Sequence, residues 1–234
     1  MKRIATFGFV FLTLSLHAFA QSKAIRFPQF VDGKFPDGTY YRSTLVITPG
    51  LDTESPTCTV QLYGMTATLG NIILGSLTFT IPFGGFYATQ TPGITQSFQG
   101  GYATVECSNP VNALVLYSFY APHFVKIVEA SASPSNEASS FKMVADYRDG
   151  SRLGIAIANN SDAAHSYTVS VGSRTSTFTI PPRRSLAKYL DELISFANNE
   201  LGVVTIRSND SSNFSVIGVR YTGLAFTTIP ASIR

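Results

Sequence analysis

Few side chains in this sequence have both the type and the spacing to do chemistry. Three histidines occur; His17 lies in an apolar N-terminal run, and His123 and His165 stand in turn-like contexts with no cysteine or carboxylate at zinc-ligand spacing. The metalloprotease pattern H-E-x-x-H, the nucleophile elbow G-x-S-x-G and a Gly-rich phosphate loop leading into a helix are all missing. A serine triad is recognised by geometry, so the many serines leave that question to the fold. Asp32-Gly33 and Asp37-Gly38 place two carboxylates close together, which suggests calcium. The intervening Lys34 and the lack of an EF-hand pattern make turns the better reading. No catalytic residue, no metal and no cofactor are expected.

Tyrosine is the residue type left to carry recognition. Tyr40, Tyr41, Tyr63, Tyr102 and Tyr120 fall on or beside apolar runs, several in phase with polar neighbours. Exposed aromatic rings stack on sugars or anchor a protein partner. Tyr40 and Tyr41 are therefore the candidate ligand contacts, against the alternative that they cover sheet faces and rims. Asn159-Asn160-Ser161, Asn209-Asp210-Ser211 and Asn213-Phe214-Ser215 match the N-glycosylation pattern and, in a bacterial chain, read as polar turns.

The elements that must position these residues read as strands. In Thr59-Val60-Gln61-Leu62-Tyr63 apolar and polar residues alternate, which puts Val60 and Leu62 on one face; Phe79 and Ile81 alternate with Thr78 and Thr80 in the same way. Asp37-Gly38, Pro49-Gly50, Gly84-Gly85, Asn109-Pro110 and Asp149-Gly150 supply turns. The expectation is an all-β chain of short antiparallel strands. One segment, Ser185–Ile194, has leucines at helical spacing and is read as a short helix, with a strand as the alternative.

Thr78-Phe79-Thr80-Ile81-Pro82 recurs as Thr177–Pro181, an offset of 99 residues. The match extends outward: residues 98–121 lie on 199–222, pairing Gly101 with Gly202, Thr104 with Thr205, Asn112 with Asn213 and Tyr120 with Tyr221. CTVQLYG lies on YTVSVGS and STLVITPGLD on LGIAIANNSD. Two copies of one unit are therefore expected, over residues 21–130 and 141–234, with an insertion around Met65–Gly75 in the first. Residues 131–140, SASPSNEASS, have a composition that suits a flexible connection. Seven or so strands per copy predict a pair of antiparallel β-sandwiches.

Cys58 lies in phase with Val60 and Leu62, and Cys107 with Ala103 and Val105, so both thiols face the apolar side. A disulfide across the core of the first unit is expected, with two separate buried thiols as the alternative. The equivalent positions in the second unit are Tyr167 and Ser208.

Residues 1–20 resemble a secretory signal peptide: Lys2 and Arg3, an apolar run from Ile4 to Leu16, and Ala18-Phe19-Ala20 at the cleavage site. Removing Lys2 and Arg3 from the formal charge of +3 leaves the mature chain near +1, which, with no basic run beyond Arg183-Arg184, argues against nucleic acid as a partner. No later segment is long and apolar enough to span a bilayer. The expected location is outside the inner membrane: extracellular, periplasmic or cell-surface.

The two-unit layout resembles the immunoglobulin-like sandwiches in architecture, although the Trp that packs on their disulfide has no counterpart in a chain without Trp. It resembles more closely a group of uncharacterised secreted bacterial proteins built from the same tandem unit. That resemblance rests on FPQFVDG, GTYYRSTLVITP, the TFTIP segment with its Gly-rich continuation, GYATVECSNPV and the closing FTTIP. It implies no catalytic residues. The function expected is a non-catalytic structural or adhesion-like interaction with an extracellular protein or glycan; a glycan-binding module and, less favoured, a secreted hydrolase are the alternatives.

Overall fold

The computed structural model describes residues 22–50, 55–66, 69, 75–93 and 97–233. The expected signal peptide at 1–20 and most of the insertion within Met65–Gly75 lie outside the described residues. The chain is an all-β, antiparallel structure. The N-terminal half forms β1 (Ser22–Lys34), β2 (Tyr40–Pro49), β3 (Thr57–Tyr63), β4 (Ser76–Thr80), β5 (Tyr87–Gln90), β6 (Gln99–Tyr120) and β7 (Lys126–Ala132). The C-terminal half forms β8 (Ser140–Asp146), β9 (Ser151–Asn159), β10 (His165–Val171), β11 (Arg174–Ile180), β12 (Arg184–Tyr189), a single helical turn α1 (Leu190–Leu193), β13 (Leu201–Ser208), β14 (Ser215–Thr222), β15 (Ala225–Ile229) and β16 (Ser232–Ile233).

The long strand β6 organises the first half. Its first part lies between β3 and β1, with Cys58 opposite Cys107 and Ile25 opposite Val105. Its second part, from Val111 to Tyr120, lies between β2 and β7. The change of partners falls at Ser108-Asn109-Pro110, where proline has no N–H to give a ladder. Ile25, Phe27, Val60 and Val105 from one part meet Leu45, Ile47 and Val115 from the other in one buried cluster. In the second half β13 lies between β10 and β8, and β14 between β9 and β15. Phe141, Val169 and Ile206 meet Leu153, Ile155, Ile157 and Val216 in a second cluster.

Three expectations change. Cys58 and Cys107 are direct cross-strand neighbours on β3 and β6, with Cα atoms 4.1 Å apart, instead of partners from opposite sides of the core. That separation suits the closer, non-hydrogen-bonded kind of antiparallel pair. The expected helix at Ser185–Ile194 is mostly strand, with one helical turn at its end. Leu186 and Leu190 are four residues apart, a spacing that serves a two-residue period as well as a helical one, and both pack on the second core.

The Ser-rich stretch 131–140 is tied to both halves instead of swinging free. Ser131 and Ala132 belong to β7, Ser135 N–H donates to Arg26 O at 2.9 Å, and Ser135 Oγ accepts the Val216 N–H at 3.0 Å. Ala138 pairs with Phe214 through bonds of 3.1 and 3.0 Å. The small hydroxyls that a sequence reading associates with flexibility here supply partners for backbone groups. The halves also share packing: Ala156, Ile217, Val219 and Phe226 join the first core cluster.

Candidate functional site

Where the two halves meet, they leave a cleft of about 660 Å³, within the size range of ligand pockets. Its floor is the outward face of β9 and β12, carrying the small residues Gly154, Ala156, Ser185 and Ala187. Because these side chains are small, the space above them stays open. The walls are aromatic. Phe35 and Phe98 stack at 5.0 Å, with Tyr41 edge-on to Phe98 at 6.0 Å, all from the first half. Tyr189 and Tyr221, from the second half, meet edge to face at 5.6 Å. The Arg152 guanidinium covers Tyr189 at 3.7 Å from the ring centroid and is held there by Asp191 at 2.7 Å.

Polar groups converge on the same space. Gln29 lines the main cleft and also a smaller cavity that includes Tyr117 and Phe226, and its buried Oε1 has no hydrogen-bond partner among the described residues. The strand places it there through a bulge: the pairing of β1 with β6 slips between Phe27 and Phe30, so Pro28 and Gln29 stand outside the ladder. Tyr117 fixes the bulge by donating its hydroxyl to Gln29 O at 2.7 Å. Burial, assisted by the neighbouring Tyr189, pushes the Tyr41 phenol up to about 12, and burial raises Tyr221 as well. Both therefore stay neutral hydrogen-bonding groups at ordinary pH. Lys188 and Glu192 stand at the mouth; Glu192 accepts the Tyr189 N–H at 3.0 Å.

Of the two candidate ligand contacts, Tyr41 lines the cleft and Tyr40 does not. Adjacent strand residues face opposite sides. Tyr40 is only 4% exposed, stacked on Tyr120 at 4.8 Å with the Arg42 guanidinium 5.5 Å from both ring centroids, which leaves it no face for a ligand. Tyr63 and Tyr102 stack at 4.7 Å, and Tyr102 donates its hydroxyl to Asn159 O at 3.3 Å, so they join the halves. Asp37 closes its own turn on Thr39, and Asp32 is buried with Gly93 N–H donating to it at 2.7 Å. Gln29, Phe35, Phe98, Tyr189, Tyr221 and Glu192 escaped the sequence reading. The usable signal was Pro28 inside an apolar run, which marks a bulge and a re-aimed neighbour.

A second cluster has the order of a nucleophile, base and acid. His165 Nε2 lies 2.7 Å from Ser161 Oγ, and His165 Nδ1 contacts Asp210. Yet Ser161 Oγ also pairs with both Ala163 O at 2.9 Å and Ala163 N–H at 3.1 Å, closing a turn on itself. Asp210 is drawn well below the usual carboxylate range, first by hydrogen bonds from Ser208 and Ser212 and then by His165. The cluster staples the loops before β10 and after β13, and the cleft does not reach it.

No protein-family model matches the chain, and no curated protein or solved structure matches it either. No described helix is long and apolar enough to cross a membrane.

Proposed function

We propose that this is a non-catalytic, exported interaction protein in which two tandem immunoglobulin-like β-sandwich units, residues 21–130 and 141–234, form a recognition cleft where they meet. The observation that carries the reading is the cleft itself: aromatic walls from both halves, a floor of small residues, and a buried amide oxygen left without a partner. The tandem reading is supported by strand order, since β4-β3-β6-β1 corresponds to β11-β10-β13-β8, and by Tyr167 standing opposite Ser208 as Cys58 stands opposite Cys107. Export through a signal peptide at 1–20 agrees with two cysteines at disulfide distance, 2.07 Å between sulfurs, because such bonds persist in oxidising compartments.

The test pairs a substrate screen with a capture experiment. Ester, glycoside and peptide substrates should show no turnover, and a fluorophosphonate probe should leave Ser161 unlabelled. Immobilised protein should retain a ligand from cell-envelope extract or a glycan array, and Tyr41→Ala should abolish retention while Tyr40→Phe leaves it intact. Turnover lost on Ser161→Ala would overturn the non-catalytic reading. Retention indifferent to Tyr41→Ala would remove the cleft from it.

A further inference from the structure

The cleft meets five consecutive residues, Ser185, Leu186, Ala187, Lys188 and Tyr189. One face of a strand offers only alternate residues. A cavity that touches a continuous run therefore meets the strand's edge as well as one face. β12 is such an edge, ending its sheet with β9 as its one strand partner. Tyr189 N–H points away from β9, because it donates to Glu192. By the two-residue repeat, the N–H and C=O groups of Ser185 and Ala187 point the same way, into the cleft.

We propose, on the basis that the cleft is the recognition site, that its ligand is an extended peptide adding to β12 as a further antiparallel strand. Main-chain hydrogen bonds supply affinity and alternate side chains supply specificity in this mode of binding. The register follows from what β12 presents. The peptide residue opposite Ala187 finds only a methyl group beneath it, with Tyr41, Phe98 and Tyr189 around it, and takes an aromatic or branched apolar side chain. Its neighbour opposite Lys188 lies on the other face. Lys188 has no ion-pair partner among the described residues, and an acidic side chain opposite it completes the pair. Of the other edge strands, β4 and β11 carry paired threonine hydroxyls, and neither contributes a residue to this cleft.

The experiment uses the full mature chain and an array of blocked heptapeptides alternating valine and threonine, with a central phenylalanine preceded by glutamate, the order that antiparallel pairing with Ala187 and Lys188 requires. Binding is read by fluorescence anisotropy. Each peptide is also made N-methylated at alternate backbone nitrogens, in both registers. Strand addition predicts that one N-methyl register loses at least tenfold in affinity and the other little. Lys188→Glu should weaken the glutamate peptide about threefold and favour its lysine counterpart by a similar factor, a reversal that misfolding cannot produce. Equal binding of both N-methyl registers, or no peptide binding, overturns the proposal. If glycans are instead retained and released by Tyr41→Ala, the cleft stands as a recognition site for another class of ligand. If nothing retained is sensitive to Tyr41→Ala, the recognition reading fails with it.

Discussion

At the scale of single residues, backbone proximity and unpaired polar atoms decide what substitutions do. A Cβ added at Gly101 would sit 2.1 Å from Tyr63 O, a backbone atom that cannot move without parting β3 from β6. Gly101→Ala should therefore cost several kcal/mol, on the order of 3 or more, by denaturant titration. Tyr167 gives the opposite sign. Its ring is fully buried against Phe214 at 5.0 Å, but its hydroxyl has no partner among the described residues. Tyr167→Phe should stabilise the protein by about 1 kcal/mol, since it removes a desolvated polar group and keeps the packing. The cysteines stand 49 positions apart, for which the chain-entropy argument gives about 4 kcal/mol as an upper figure for a bond between them. Intact mass should rise by two hydrogens on reduction, and alkylation of the unreduced, unfolded chain should find no thiol; full labelling of both would disprove the bond. The core-facing phase of Cys58 and Cys107 was legible from alternation alone. Their neighbouring strands were not, because a two-residue period fixes the face a residue points to and leaves its partner strand open.

At the scale of elements, the readable features were those with a period and the unreadable ones depended on long-range partners. Thr78–Pro82 and Thr177–Pro181 announce strands because alternation survives in isolation. β12 was ambiguous because Leu186 and Leu190 fit two periods, and the packing that chooses between them comes from β9. Residues 131–140 mislead for a related reason: composition reports what a segment can bury, and these residues are held through hydrogen bonds to the backbone of Arg26, Phe214 and Val216. Limited proteolysis should consequently spare 131–140 in the folded protein. Ser135→Ala removes the acceptor of the Val216 N–H and should cost about 1 kcal/mol and raise the cleavage rate there. Early cutting at 131–140 in the unaltered chain would show that those bonds do not hold in solution. Of the recognition site, Tyr41 was legible as an aromatic on a strand. The rest was not, because a cleft between halves is a product of how the halves pack.

At the scale of the molecule, two properties follow from the shared packing and from the charged and phenolic groups. Asp146 is held far below the usual range by the Arg148 guanidinium and N–H, and Asp210 by Ser208, Ser212 and His165. Groups whose pKa is depressed on folding contribute stability above their unfolded value near 4 and lose it as pH falls. Tyr41, Tyr102 and Tyr147 are pushed up to about 12, chiefly by burial. Phenols raised on folding contribute fully below about 10 and lose that contribution as pH climbs toward 12. Urea midpoints should thus form a plateau between about pH 5 and 10 and fall on both sides, and absorbance at 295 nm should show delayed phenol ionisation. The second property is cooperativity. Independent units joined by a linker unfold in separate steps, but here Ala156, Ile217, Val219 and Phe226 of the second half complete the first core, Thr228 Oγ1 donates to Ser131 O at 2.8 Å, and Arg26 reaches Glu137 at 3.6 Å. Loss of either half exposes apolar surface of the other, which couples the two unfolding equilibria. Calorimetry should record one transition whose calorimetric and van't Hoff enthalpies agree. Ile217→Asp places a charge in that shared packing and should split the transition in two, with the second half's core, built from Phe141, Val169, Ile206 and Phe214, melting as its own step. Two transitions in the unaltered protein would mean that the halves fold without each other and that the cleft between them opens freely.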